Sequence, residues 1–160
     1  MSYRLPPVPH IMVYDTTTQT IVATNTAQVI TFDTTDGTAG ISLVTSGGKA
    51  SRITLPNVGT YFFSVSAVVQ AAGANRRCSI WFRKNGSDVV YSNTEVVALN
   101  GEPTVLALSV NLDCTTPGDY YELWMAGTGT SAGIYATAAT AGPPAQPGVP
   151  SIIVSVMQVS

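Results

Sequence analysis

The stretch GTYFFSVSAVVQ, residues 59–70, is apolar or uncharged on both faces that an extended chain presents. In a β-strand successive side chains point to opposite sides of the sheet. Tyr61, Phe63, Val65, Ala67 and Val69 therefore share one face, and Phe62, Ser64, Ser66 and Val68 share the other. An antiparallel sheet with one side in water alternates apolar with polar residues, and no polar-out face is present here. Two further segments repeat the anomaly. In Thr104–Leu112, Leu106, Leu108, Val110 and Leu112 oppose Val105, Ala107 and Ser109. In Ile152–Val159, Ile152, Val154 and Val156 oppose Ile153, Ser155 and Met157. A two-sheet sandwich that keeps an apolar outer face has to cover it with another chain. Self-association is the economical cover.

The rest of the chain supports an all-β reading. Strand-like runs occur at Thr20–Ala23, Ala27–Phe32, Gly40–Val44, Ser51–Leu55, Cys78–Lys84, Asp88–Ser92, Thr94–Ala98 and Tyr120–Ala126. The last strand is expected over Pro150–Val159. Turn residues punctuate them at Asp36-Gly37, Gly47-Gly48, Asn57-Val58-Gly59, Asn85-Gly86, Asn100-Gly101 and Pro117-Gly118, the rhythm of a sandwich or barrel. No segment sustains the i, i+3, i+4, i+7 pattern of an amphipathic helix. In SIWFRKNGSDVVYSNT (Ser79–Thr94), Asn85-Gly86 predicts a type I′ hairpin, with Ile80 and Phe82 inward and Trp81 and Arg83 outward.

A length of 160 residues suits one domain. Pro6, Pro7 and Pro9 mark residues 1–15 as an extended arm outside a domain over 16–160. The arm either wraps a partner, presenting Tyr3, Arg4 and His10, or frays. A second Pro/Gly-rich stretch, Ala141–Pro150, reads as a loop.

Only 10% of residues are charged and the net charge is −2, which points away from nucleic acid and anionic membranes. The start, MSYRLPPVPH, lacks the apolar core of a signal peptide, and no apolar run reaches membrane-helix length. Leu123–Ser160 contains no Asp, Glu, Lys, Arg or His. That segment is expected either to be deeply buried or to be covered by another subunit. The two cysteines, Cys78 and Cys114, read as buried small hydrophobes rather than as a disulfide framework.

Several motifs together resemble the C1q/TNF-like jelly roll: GTYFFSV (Gly59–Val65) as a G-x-Y-x-F signature, then WFRKNG, VLALSVNLDCTTPGDYYEL and a terminal PSIIVSVMQV. The resemblance spans about Thr20 to Ser160. SIWFRKNGSDVVYSNT and VPSIIVSVMQVS resemble, more narrowly, a version of this domain found in bacteriophage virion proteins. What the resemblance implies is a ten-strand sandwich that forms a homotrimer around the sheet holding the first and last strands. It also implies that Phe62, Ser64, Ser66, Val105, Ala107, Ser109, Ile153, Ser155 and Met157 face the threefold axis. Cys78 and Cys114 would then lie at opposite ends of the sandwich, too far apart to pair.

Catalytic chemistry is not expected. The single histidine, His10, lies in the arm, and no Ser/His/Asp or Cys/His set can be assembled without it. Asp33 with Asp36, and Asp113 with Asp119, lack the spacing of a calcium loop and fit ordinary turns, so no metal or cofactor is expected. Asn85-Gly86-Ser87 is formally a glycosylation sequon, but it reads as a turn. Arg76, Arg77, Arg83 and Lys84 gather around one hairpin, either as a patch for an acidic partner or as charges that blunt an exposed edge. The implied function is a non-enzymatic virion protein: a trimeric capsid decoration (cement) protein or head fibre, made in the host cytoplasm, whose partner is the major capsid protein. The alternative is a trimeric receptor-binding module at a tail fibre or tail tip.

Overall fold

The computed structural model describes residues 7–160, so the expected partner contacts Tyr3 and Arg4 lie outside the described residues. Among the described residues every regular element is a strand. One sheet contains β1 (His10–Asp15), β2 (Gln19–Thr20), β4 (Thr34–Ala39), β7 (Gly59–Ala71), β11 (Thr104–Cys114), β13 (Ala132–Ile134) and β14 (Ile152–Gln158). The other contains β3 (Gln28–Val29), β5 (Ser42–Ser46), β6 (Lys49–Thr54), β8 (Arg76–Lys84), β9 (Ser87–Asp88), β10 (Thr94–Ala98) and β12 (Tyr120–Gly127). In the first sheet the order is β2-β13-β7-β14-β1-β4, with β11 on the free side of β7. In the second it is β10-β8-β12-β6-β5. All strand pairings between these elements are antiparallel. The result is an all-β, two-sheet antiparallel sandwich.

The core lies between the sheets and is built by the alternation of the long strands. Tyr61, Phe63, Val65, Ala67 and Val69 of β7 are all buried. Ile80 and Phe82 of β8 and Tyr121, Leu123 and Met125 of β12 meet them from the second sheet. Phe63 lies edge-on to both Phe82 and Tyr121, with ring centroids 5.2 Å apart in each pair. That is the favourable T-shaped arrangement of aromatic quadrupoles.

The hairpin after β8 forms as its chemistry requires. Asn85 and Gly86 both take positive φ, 50° and 85°, the requirement of a type I′ turn. Arg83 pairs with Asp88 and Lys84 with Ser87 across it. Trp81 and Arg83 point away from the core, as the alternation predicts. At the start of β7, Gly59 has φ 145° and admits the Ser160 carbonyl, whose oxygen would lie 2.1 Å from a Cβ at this position.

Three expectations are corrected. Residues 10–15, expected to belong to the extended arm, form a strand, because the prolines stop at Pro9 and HIMVYD forms β1. Ile11, Val13 and Asp15 turn inward, and the strand lies between β14 and β4. Asp36-Gly37 is not a turn between strands. It lies within β4, where the register against β1 shifts and Gly37 takes φ 54°, the geometry of a glycine bulge. The strand expected over Asp88–Ser92 stops at Asp88, because Val89–Ser92 closes into a turn in which the Ser92 amide donates to the Val89 carbonyl at 3.3 Å. Within the charge-free segment, expected to be buried or covered by another subunit, Thr137–Val149 is a loop exposed in the single chain, held by backbone hydrogen bonds between Thr137 and Val149 and between Thr140 and Gln146.

Candidate functional site

The residues expected at a threefold axis stand together on the outward face of the first sheet. β7 runs between β14 and β11 and pairs with both. Ile153, Ser66 and Ala107 form one cross-strand row, and Ser155, Ser64 and Ser109 the next. A third row holds Met157, Phe62 and Asn111, while Val105 sits opposite Val68. Of the nine expected residues only Ser64 is half-buried; the others are exposed. Phe62 is 38% exposed, Met157 48%, Val105 63% and Ile153 36%. The rows carry no charge. Asp113, bonded to the Thr60 hydroxyl at 2.8 Å, and Asp36 on β4 stand only at the rim.

Sequence reasoning missed part of this face. The alternation of β1 turns His10, Met12 and Tyr14 to the same side. His10, Met12, Phe62 and Met157 then line an open groove of about 540 Å³. Asp36 and Ser155 border the same groove, so a histidine, an aspartate and a serine do converge here. Among the described residues no hydrogen bond joins any two of them, and the His10 Nδ1 lies 2.8 Å from the Val8 carbonyl. A general base needs hydrogen-bond reach of the group that it activates.

The basic residues do not form one cluster. Arg76 and Arg77 begin β8, whereas Arg83 and Lys84 end it. Most are neutralised locally: Arg77 by Glu95 at 2.7 Å, Arg83 by Asp88 at 2.6 Å and Lys84 by Asp119 at 2.8 Å. Arg76 is half-buried, with its Nε against Gly129 and unbonded. The length of a nine-residue strand separates the pairs, so no single patch faces an acidic partner.

Asp33 and Asp119 are committed to bends and turns, whereas Asp36 lies in β4 and Asp113 in β11. Asp33 accepts bonds from the Thr16 amide and hydroxyl and from the Thr34 hydroxyl. Asp119 accepts from the Thr115 and Thr116 amides at 2.8 and 3.1 Å and from the Asn85 side chain at 2.8 Å, besides its ion pair with Lys84. Among the described residues no three His, Cys, Asp or Glu side chains come together as a metal site. Burial opposes ionisation of Asp119, but the bonds from Lys84, Asn85, Thr115 and Thr116 outweigh it and hold the carboxyl far below the usual range. A depressed folded-state pKa stabilises the fold above the unfolded value, near 4, and that stability drains away as pH falls further. Urea midpoints should therefore hold at neutral pH and drop below about pH 4. Asp119→Asn removes the charge paired with Lys84 and replaces one of two acceptor oxygens by a donor, and should remove about 1–3 kcal/mol at pH 7 and flatten that acid limb.

Cys78 and Cys114 are buried and unpaired. Cys78 lies opposite Val96 near one end of the sandwich, and Cys114 opposite Gly59 at the other. Burial pushes the Cys78 thiol up to about 11, which leaves it an inert core side chain.

The all-β antiparallel two-sheet sandwich matches the fold of C1q/TNF-like jelly-roll domains. Among solved structures, the globular domain of zebrafish complement 1qA protein superposes with a TM-score of 0.56 at 12% identity, over 95% of this chain and 98% of that one. Murine APRIL at pH 5.0 gives 0.57 at 6% identity, and at pH 8.0 gives 0.58 at 6% identity; both comparisons cover 96% of this chain and 100% of that one. At such identities the likeness is one of fold. No protein-family description matches the chain, and no curated protein matches it.

Proposed function

We propose that the chain is a non-enzymatic bacteriophage virion protein, a homotrimeric capsid decoration protein that docks on the head shell and stabilises it. The observation that carries the trimer is the uncharged outward face of the first sheet, where Phe62, Val105, Ile153 and Met157 are exposed in a single chain. Small Ser and Ala side chains between them let neighbouring sheets approach closely. A cyclic assembly hides this face in a closed ring, whereas an open one would propagate it. Obligate interfaces of this kind bury on the order of 2,000 Å² or more. The phage assignment rests on the resemblance of Ser79–Thr94 and of the last strand to virion versions of the fold. A trimer bound to neighbouring copies of the major capsid protein would stabilise the shell by mass action, because it binds only the assembled state. The uncharged loop over Thr137–Val149, exposed in the single chain, is available for that contact.

The test is position on the particle. Antibody or gold labelling is expected over the whole head at many copies. Labelling confined to the tail end would transfer the protein to the second reading, a trimeric receptor-binding module. One observation favours that alternative: Val90 and Tyr91 are 75% and 100% exposed on the second sheet's edge.

A further inference from the structure

Tyr91 is placed where folding alone would not put it. It occupies the third position of the Val89–Ser92 turn with φ 62°. That position favours glycine or asparagine, since a Cβ is crowded by the neighbouring carbonyl there. A strained, bulky residue persists where the surroundings compel it or where function uses it. The fold does not compel it, because the Tyr91 side chain is fully exposed and packs into no core.

The ring of Tyr91 borders a groove of about 370 Å³ on the outward side of the second sheet, with Trp81, Asp88, Val89 and Asn93. This is within the size range of small-ligand clefts. Trp81 is held in place: its indole Nε1 donates to Asp88 Oδ1 at 2.8 Å, and the same oxygen accepts from Arg83 Nε at 2.6 Å. Arg83 is itself stacked over Trp124, with its guanidinium carbon 3.8 Å from the ring centroid. The Trp81 side of the platform is therefore preorganised. Among the described residues, the second Asp88 oxygen, the Asn93 amide and the Tyr91 hydroxyl accept or donate no hydrogen bond. Arg83 balances the charge of Asp88, so the groove offers no net charge to an ion.

We propose that this groove binds a neutral saccharide. The C–H face of a pyranose is complementary to the electron-rich faces of Trp81 and Tyr91, while its hydroxyls meet the free carboxylate oxygen of Asp88 and the Asn93 amide. The groove lies on the sheet opposite the Phe62 face, so a trimer built on that face leaves three such sites pointing outward. Weak single-site binding would then add up through multivalency. The site does not depend on the threefold reading.

The test uses the full chain, first on an array of glycans containing hexoses, deoxyhexoses and N-acetylhexosamines. Glycans retained on the array are then titrated to about 50 mM against isotope-labelled protein, the range in which weak sites fill. The Trp81 indole resonance should shift, while the backbone amides of Ala107 and Ser109 on the opposite sheet serve as the unmoved control. Tyr91→Gly relieves the strained turn, so its unfolding midpoint should be unchanged or higher while affinity falls by about tenfold or more. Retention of no glycan overturns the proposal. So does a shift of the Ala107 and Ser109 amides as large as that of the Trp81 indole, or a Tyr91→Gly variant that binds as the parent does.

Discussion

Phe62→Asp is expected to reduce the sedimentation mass from a threefold multiple of 16.7 kDa to 16.7 kDa. In the proposed assembly the side chain lies in the row between Met157 and Asn111, with β14 and β11 on either side. Three copies of the variant would bring three carboxylates into a water-poor interface. An unpaired buried charge costs several kcal/mol, and like charges near one axis add repulsion. The folded chain itself loses little, since Phe62 already meets solvent; a change of about 1 kcal/mol in monomer stability is in keeping with strand-surface substitutions. Met157→Asp, one strand away, should behave in the same way. Retention of the threefold mass by both variants would remove this face from the interface, and a monomeric parent at micromolar concentration would remove the trimer.

The adjacent residue answers to different physics. Phe63→Ala should destabilise the fold by roughly 3–5 kcal/mol whatever the oligomeric state. Phe63 is fully buried and packs edge-on against Phe82 and Tyr121, which bridge to it from the opposite sheet. Truncation leaves a cavity between two sheets whose backbones are hydrogen-bonded on both sides and cannot collapse into it. A domain of this size has about 5–15 kcal/mol in hand, so the loss is a large share. Urea unfolding in the Phe62→Asp background reads it cleanly, because subunit association no longer contributes. A loss below about 1 kcal/mol would mean that the core is packed differently.

These two neighbours also show how much the sequence discloses. Alternation separates Phe62 from Phe63 without any structure, and for the same reason the Ile153, Ser155 and Met157 side of β14 was legible. The strand over Thr94–Ala98 appears with the bounds read from sequence. Long strands with β-branched and aromatic residues announce themselves; short or irregular ones do not. β1 was masked by the prolines just before it, and β4 by an Asp-Gly pair that forms a bulge instead of a turn. β13, only Ala132–Ile134, is too brief for a periodic signal. It fits because Gly133 lets the Gln19 carbonyl approach, whose oxygen would be 2.3 Å from a Cβ there. The contribution of Met12 to the outward face was hidden along with β1. Tyr91 was illegible for another reason: a tyrosine in a left-handed turn breaks the local rule instead of following it.

A strand that is apolar on both sides has a weakness. Sliding β7 by one residue would exchange one greasy face for another, so burial alone discriminates poorly between the two alignments. The discrimination has to come from something indifferent to hydrophobicity, and Gly59 supplies it. Any other residue brought to that position would drive its Cβ into the Ser160 carbonyl. One missing side chain thus acts as a registration mark for β7 against the residues just past β14. It lets the protein keep apolar surface on both sides of its central strand and still pair in a single frame.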